Sequence, residues 1–529
     1  MSENDQTPPG RKAQYVPMTE DAELCYRAIA SRDPRFDGRF FTGVRTTGIY
    51  CRPICPARTP KRENVTFFAC AAAAEEAGFR PCRRCRPDSA PGTPEWNGTS
   101  ASVSRGLRLI QQGALDEADV SILAERLGMG ERHLSRLFGE HLGASPVTVA
   151  QTRRSHFARK LIEETDLSMA EIAFASGFGS VRRFNALIRD RFGFTPTELR
   201  RTRTKGITRD GARGSKESSS SRDGDRLALR LSYRPPFDWD GILAFQAKRL
   251  IPGVEQIRDH GYERTFALDE TTGRLRVTHA PDERALLLTV SSIPPRKLLS
   301  LVETTRHVFD LHADPMGVAR HFASDPMLGP FVSLAPGLRV PGSWDGFELA
   351  VRAILGQQIT VRAATTLAHR LVTRLGQPLE KSDETPSVSE LHMLFPRPET
   401  VTKADLSGLG IPGTRIAAIQ SLARAVADEG LLLDPAAPAD ETRRRLLEIP
   451  GIGAWTVEYI MMRALRDPDA FPAGDIVLRR ICSTGSAPLS EKQLMQRAEP
   501  WRPWRAYSVL HLWRAASRAA AASANGRAM

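Results

Sequence analysis

The chain has no uninterrupted apolar run long enough to cross a membrane, and its first residues, Met1 to Gly10, are polar. Neither anchor nor export signal is expected, and the expected location is the cytoplasm. Cysteine is scarce, with 7 in 529 residues, and Cys25, Cys70 and Cys482 follow no framework spacing. That fits a reducing compartment, with those three as packed thiols. Acid is in short supply as well. The 61 Asp/Glu do not balance 74 Lys/Arg, and the net charge of +13 favours a polyanionic partner. At this length about three or four domains are expected.

The remaining cysteines are ordered. Cys51-x3-Cys55 and Cys82-x2-Cys85 are joined by 26 residues, and nine Lys/Arg against four Asp/Glu lie between Arg45 and Asp88. Each pair supplies two thiolates from one turn, which is what tetrahedral Zn(II) requires. So basic a setting points at nucleic acid, although spacing alone is met as well by a purely structural zinc knuckle. Zinc holds a thiolate deprotonated at neutral pH, and a thiolate is the form that attacks an alkyl carbon. Four thiolates around Zn(II) carry a net charge of about −2, and alkylating one leaves about −1, which repels phosphate less.

The wording around these ligands is Arg45-Thr46-Thr47-Gly48-Ile49-Tyr50-Cys51-Arg52-Pro53-Ile54-Cys55, Arg62-Glu63-Asn64-Val65 and Gly78-Phe79-Arg80-Pro81-Cys82-Arg83-Arg84-Cys85. It resembles the N-terminal domain of the Ada adaptive-response family, over roughly 15–92. The resemblance implies one Zn(II) per chain, Cys51 as irreversible acceptor of a methyl group from a methyl phosphotriester in DNA, Cys55, Cys82 and Cys85 as plain ligands, and Arg45 as a DNA contact.

Between about 100 and 203 the pattern is helical and repeats. Leu134, Phe138, Leu142, Gly143 and Pro146 recur fifty positions later as Phe184, Ile188, Phe192, Gly193 and Pro196. Each copy reads as a short helix, a turn with glycine and a second helix: Leu123 to Leu127 then Glu131 to Glu140, and Ala170 to Ala175 then Ser180 to Arg191. Ser168 and Glu171 form a capping-box signature. Two helix-turn-helix units are the economical reading, with a plain helical bundle as the duller one. The tandem resembles the AraC-type DNA-binding domain. Its second helices offer Glu131, Arg132, Ser135 and Arg136, then Arg182, Arg183, Asn185 and Arg189, residue types that bond base edges or phosphates.

Residues 204–226 turn to Gly, Ser, Arg, Lys and Asp and are expected to be a flexible linker that keeps the modules on either side separate. Strands are then predicted at Leu227 to Tyr233, Tyr262 to Ala267, Arg274 to His279 and Ala285 to Val290, with a turn at Thr272-Gly273. Helices are predicted at Trp239 to Lys248 and Arg296 to Asp310. A mixed sheet-and-helix subdomain over 227–313 thus precedes a helical domain over 314–520. The fold class is multidomain α+β.

Two segments of the helical part carry chemistry. Leu446 to Thr456 reads as a helix, a Pro450-Gly451-Ile452-Gly453 hairpin and a second helix running to about Leu465. Two glycines let backbone N–H groups approach a phosphate without reading sequence. Asp475, 22 positions after Gly453, sits in Phe471-Pro472-Ala473-Gly474-Asp475-Ile476 at a loop-to-helix junction, where a helix N-cap is the plain role. The hairpin and this loop resemble the helix-hairpin-helix DNA glycosylases. Phe347 to Gln358 and Arg502-Pro503-Trp504-Arg505-Ala506-Tyr507 narrow the likeness to the alkylation-repair glycosylase AlkA.

That resemblance implies Asp475 as catalytic carboxylate, Trp455, Tyr459 and Trp513 as walls of the base pocket, Gly451 and Gly453 as backbone contacts, and Gln358 at the wedge position, where the family has leucine. Trp455 stands where bifunctional relatives carry a lysine, so monofunctional excision of bases of the 3-methyladenine type is expected, without a Schiff base. Cys482 stands alone, so an iron–sulfur centre is not expected. The Pro-Cys-His-Arg motif of Ada methyltransferase domains does not occur. Taken together, these resemblances imply a monomer acting on double-stranded DNA, with RNA polymerase as a partner in activation. The rival reading is a transcription regulator whose C-terminal part only binds damaged DNA.

Overall fold

The computed structural model describes residues 21–87, 90, 101–116, 118–207, 226–291, 293–379 and 391–525. The cysteine-bearing end is a small four-stranded sheet. β1 (Phe41–Val44) pairs antiparallel with β2 (Ile49–Cys51) and β3 (Val65–Phe68), and β2 pairs parallel with β4 (Arg80–Pro81). Gly43 is needed in β1, because a Cβ there would lie 2.7 Å from the Phe68 ring and 2.9 Å from the Phe79 ring. The helix Ala71–Glu76 buries four alanines against this sheet and the helices beyond it.

The fifty-residue repeat is a structural duplication. Helices Val120–Arg126 and Glu131–Leu142 form one unit, and Met169–Ala175 and Val181–Phe192 the other. Both second helices end on a left-handed glycine, Gly143 at φ 69° and Gly193 at φ 72°, where a Cβ would be strained. Ser145 and Thr195 then cap the next helices, accepting from Thr148 N at 3.2 Å and Glu198 N at 3.3 Å. The capping box forms too, with Glu171 N donating to Ser168 Oγ at 3.2 Å and Ser168 N to Glu171 Oε2 at 2.7 Å. The long helix Pro146–Glu164 joins the units. The last helix of this region, Pro196–Ile207, runs into the stretch expected to be linker. The rest of that stretch, 208–225, lies outside the described residues.

The second sheet is antiparallel, ordered β5-β9-β8-β7-β6. Its strands are β5 (Arg226–Ser232), β6 (Glu255–Arg258), β7 (Gly261–Leu268), β8 (Thr271–Ala280) and β9 (Ala285–Ser291). Two points differ from expectation. β6 was not foreseen, and Thr272-Gly273 is not a turn but part of β8, paired with Ala267 and Phe266. The chain reverses instead at Asp269, φ 51°. Gly273 is small for a packing reason, since a Cβ would meet the Phe266 ring at 2.8 Å and Ser291 O at 2.9 Å. From Pro315 onward the chain is mostly helical around one large apolar core.

The modules are not kept separate. Ile172, Ala173 and Phe178 of the second helix-turn-helix unit share a buried cluster with Leu231 and Leu288 of the sheet and with Leu298 and Val302 of the helix Pro295–Val308. Arg105 Nε donates to Ala436 O at 2.8 Å. At the cysteine-bearing end, buried Tyr50 donates its hydroxyl to Glu75 at 2.9 Å. Glu75 also accepts from Thr152 of the long helix at 2.5 Å and pairs with Arg191 at the end of Val181–Phe192. Arg39 pairs with Asp314 at 3.2 Å, both 8% exposed. A linker leaves two modules free only where neither presents a complementary face, and here apolar and charged faces both match.

Candidate functional site

Cys51 ends β2 and Cys82 directly follows β4, so the parallel pairing of these strands brings the two cysteine pairs together. All four Sγ atoms lie within 4.8 Å of one another. Arg52 fastens the second pair to the first: its N–H donates to Cys85 Sγ at 3.3 Å, and its guanidinium reaches Cys85 O at 3.0 Å and the carboxylate of Asp37. Four converging sulfurs with an amide donor to one of them suit a tetrahedral thiophilic cation, so these residues fit Zn(II). Cys82 and Cys85 are buried, whereas Cys51 and Cys55 are half-buried and form the open side of the cluster. The three other cysteines are of a different kind. Burial pushes the Cys25 thiol up to about 12 and those of Cys70 and Cys482 up to about 11, which keeps them protonated and unreactive.

Arg45, exposed, directly follows the interior strand β1 and donates to Glu63 O. Arg132, Arg136, Arg182 and Arg183 are exposed on the second helices of their units. Arg136 is held along its own helix by Glu140 at 2.8 Å. The four arginines of the helix-turn-helix units lie on two separate helices, apart from Arg45 at the first sheet and from the Asp475 loop.

Asp475 closes a compact arrangement. Helices Ala439–Glu448 and Ala454–Arg463 flank the Pro450–Gly453 turn, with Gly451 at φ 90°. Asp475 is the N-cap of Ile476–Ile481. Its Oδ1 accepts from Val477 N and Leu478 N, both at 2.9 Å, and its Oδ2 accepts from Trp455 Nε1 at 3.0 Å. Trp455 stacks on Tyr459, one helical turn on, with ring centroids 5.3 Å apart and planes at 11°, and Trp513 is tilted against Tyr459 at 6.3 Å. Gln358 is exposed at φ 55° at the tip between helices Gly346–Leu355 and Val361–Leu375. Its neighbour Gln357 ties the tip to the hairpin, donating to Gly451 O at 2.9 Å and Thr456 Oγ1 at 3.0 Å. A carboxylate, an aromatic wall, a backbone hairpin and a projecting side chain thus meet on one side of the helical core.

Comparison with known proteins agrees along most of the chain. A protein of Mycobacterium tuberculosis (strain CDC 1551 / Oshkosh), named "Probable bifunctional transcriptional activator/DNA repair enzyme AlkA", is 42% identical over 496 residues, covering 94% of this chain and 97% of that protein. The chain belongs to this family of bifunctional transcriptional activator/DNA repair enzymes. Four family descriptions match in order: the metal-binding domain of Ada over 24–88, a helix-turn-helix domain over 123–202, the AlkA N-terminal domain over 228–345, and the HhH-GPD superfamily of base excision DNA repair proteins over 351–503. DNA-3-methyladenine glycosylase 2 of Escherichia coli K12 is 34% identical over 289 residues, 54% of this chain and 95% of that one. The bifunctional transcriptional activator/DNA repair enzyme Ada of the same organism is 34% identical over 185 residues, 35% of this chain and 49% of that one. The C-terminal half of this repair enzyme is therefore a DNA glycosylase, and its N-terminal half a zinc-binding and helix-turn-helix region.

Sequence reasoning passed over several residues beside Asp475. Arg463 donates to the Tyr459 hydroxyl at 2.6 Å. Its signal was present, since Trp455, Tyr459 and Arg463 recur every fourth residue on one helix face. Arg249 lies 3.7 Å from the Phe245 ring centroid, and its charge acts on the Tyr459 phenol. More than 200 positions separate it from Tyr459, and no local pattern foretells it.

Proposed function

We propose that this enzyme removes alkylated bases of the 3-methyladenine type from double-stranded DNA by monofunctional hydrolysis at Asp475, and that Cys51 takes up methyl groups from phosphotriesters and so informs the DNA-binding units. The observation that carries the first part is the Asp475 carboxylate, held by three donors at the edge of the Trp455–Tyr459 stack.

An alkylated purine is cationic and already a good leaving group. The N-glycosidic bond breaks with its electron pair going to the base, which becomes neutral. Charge develops on the sugar, and the Asp475 carboxylate stabilises it there while water adds to the anomeric carbon and loses its proton to solvent. The base reaches the pocket by leaving the stack, with Gln358 in the vacated position and the Gly451–Gly453 backbone on the phosphates. Trp455 offers no amine, so no Schiff base forms and the abasic site is left uncut.

In the first module, Cys51, Cys55, Cys82 and Cys85 would hold one Zn(II) per chain, which would keep their sulfurs as thiolates at neutral pH. Cys51 Sγ bonds to the methyl carbon as the methyl C–O bond breaks, and the electron pair stays on the phosphate oxygen as an ordinary diester. Arg45, Arg132, Arg136, Arg182 and Arg183 hold the DNA, and RNA polymerase is the partner at the promoter. The deciding experiment incubates the chain with a duplex carrying one alkylated base. Free base and an uncut abasic site are expected; bound but intact DNA would leave only a regulator.

A further inference from the structure

The pocket beside Asp475 holds more positive charge than a site for a cationic base should tolerate. Arg463, 6% exposed, gives Nε to Pro341 O at 2.8 Å, Nη2 to Gly342 O at 3.0 Å and Nη1 to the Tyr459 hydroxyl at 2.6 Å. Arg249 gives Nη1 to Phe245 O at 2.9 Å, and its charge acts on the same phenol. Carbonyls satisfy N–H groups but do not cancel charge. Among the described residues neither arginine has a carboxylate partner. Arg352, the next cation, is balanced by Glu255 at 3.1 Å and Glu348 at 2.9 Å. The group that Arg463 bonds, that the charge of Arg249 also acts on, and that can become an anion is the phenol of Tyr459.

We propose that Tyr459 sets the charge preference of the pocket. When a cationic alkylated base stacks against the aromatic wall, Tyr459 releases its phenolic proton to water, and the phenolate, held by Arg463 and favoured by the charge of Arg249, prefers that base to a neutral one. This rests on the reading of the pocket as the base site. The phenol is suitably poised. Burial by itself raises it, but Arg463, Arg249 and Arg352 outweigh burial and bring it down to about 8. Of the other elements packed here, the helix Arg505–Asn525 presents the uncharged Trp513, and the Asp475 loop faces the far end of Trp455. A phenolate ring attracts a stacked cation more strongly than a neutral phenol does.

Two measurements on the intact chain test this. Ultraviolet difference titration of wild type against Tyr459→Phe should reveal one tyrosinate forming near pH 8, and Arg249→Gln should move it upward. Single-turnover excision of 3-methyladenine, a fixed cation, relative to neutral ethenoadenine should rise about tenfold between about pH 6.5 and pH 9.5 in wild type and stay flat in Tyr459→Phe. A difference transition at the ordinary tyrosine value of about 10, no upward movement in Arg249→Gln, or equal pH slopes in wild type and Tyr459→Phe would overturn it. If wild type excises neither base, the glycosylase reading of the pocket fails instead, while the tyrosinate titration still reports on Tyr459.

Discussion

Replacing Asp475 by asparagine changes one charge at almost constant shape, and the contacts of the carboxylate determine the outcome. Oδ1 accepts two backbone N–H groups of the helix it caps, and Oδ2 accepts the Trp455 indole N–H. An amide can keep the two cap bonds with its oxygen, but its NH2 then faces the indole N–H, donor against donor. Turning it over restores the indole bond and loses the cap, at a cost of about 1 kcal/mol. Neither choice unfolds a core of this size. The transition state, however, loses a preorganised anion, worth ~3 kcal/mol or about 10²-fold in rate. Single-turnover release of 3-methyladenine from saturated duplex should therefore fall by about that factor or more, while DNA affinity measured by titration holds. Excision at the wild-type rate in a folded Asp475→Asn protein would remove Asp475 from the chemistry.

Other substitutions probe the remaining parts. Cys51→Ala should abolish methyl uptake from phosphotriester DNA yet leave base excision in place, because the donors that hold Asp475 all lie in the C-terminal part; loss of both activities in a folded variant would contradict this. Arg39→Ala removes the ion-pair partner of the buried Asp314, leaving Arg234 as the cation near it, and should cost about 1–3 kcal/mol, seen as a lower urea midpoint; an unchanged midpoint would mean that this pair adds nothing. Protein methylated at Cys51 should bind its promoter more tightly than unmethylated protein, by a margin that shrinks with salt because the charge term is screened over about 8 Å at physiological ionic strength. Equal affinities at low salt would leave Cys51 without a signalling role.

What could be read from the sequence was local. The duplicated units were legible because their signals sit within one turn of the chain: Gly143 and Gly193, which prove left-handed, and the Ser168–Glu171 box. β6 was not legible, because Glu255-Gln256-Ile257-Arg258 has no apolar alternation. Glu255 is nonetheless buried, paired with Arg264 and Arg352 from distant segments. Gly273 was misread because glycine signals both a turn and a tight approach, and only the Phe266 ring decides between them. The junctions between modules were invisible for the same reason as Arg249: each is made by residues far apart along the chain.

Those junctions differ in kind, and the difference bears on how sensing and repair share one chain. The second helix-turn-helix unit meets the sheet through Ile172, Phe178, Leu231 and Leu298, an apolar contact whose opening would expose hydrocarbon to water. The zinc-binding module meets the glycosylase through charge: Arg39 with Asp314, and the fully buried Arg234 near both Asp314 and Asp37. Burial brings the Arg234 guanidinium down to about 9, with Asp314 and Asp37 opposing the shift. Ions that separate regain hydration, so such a contact returns on opening much of what it gains on closing. An apolar junction therefore resists opening more than an ionic one of similar extent. Asp37 also accepts from Arg52, whose N–H and guanidinium grip Cys85. The cysteine cluster is thus joined to the ionic junction through Arg52, Asp37 and Arg234.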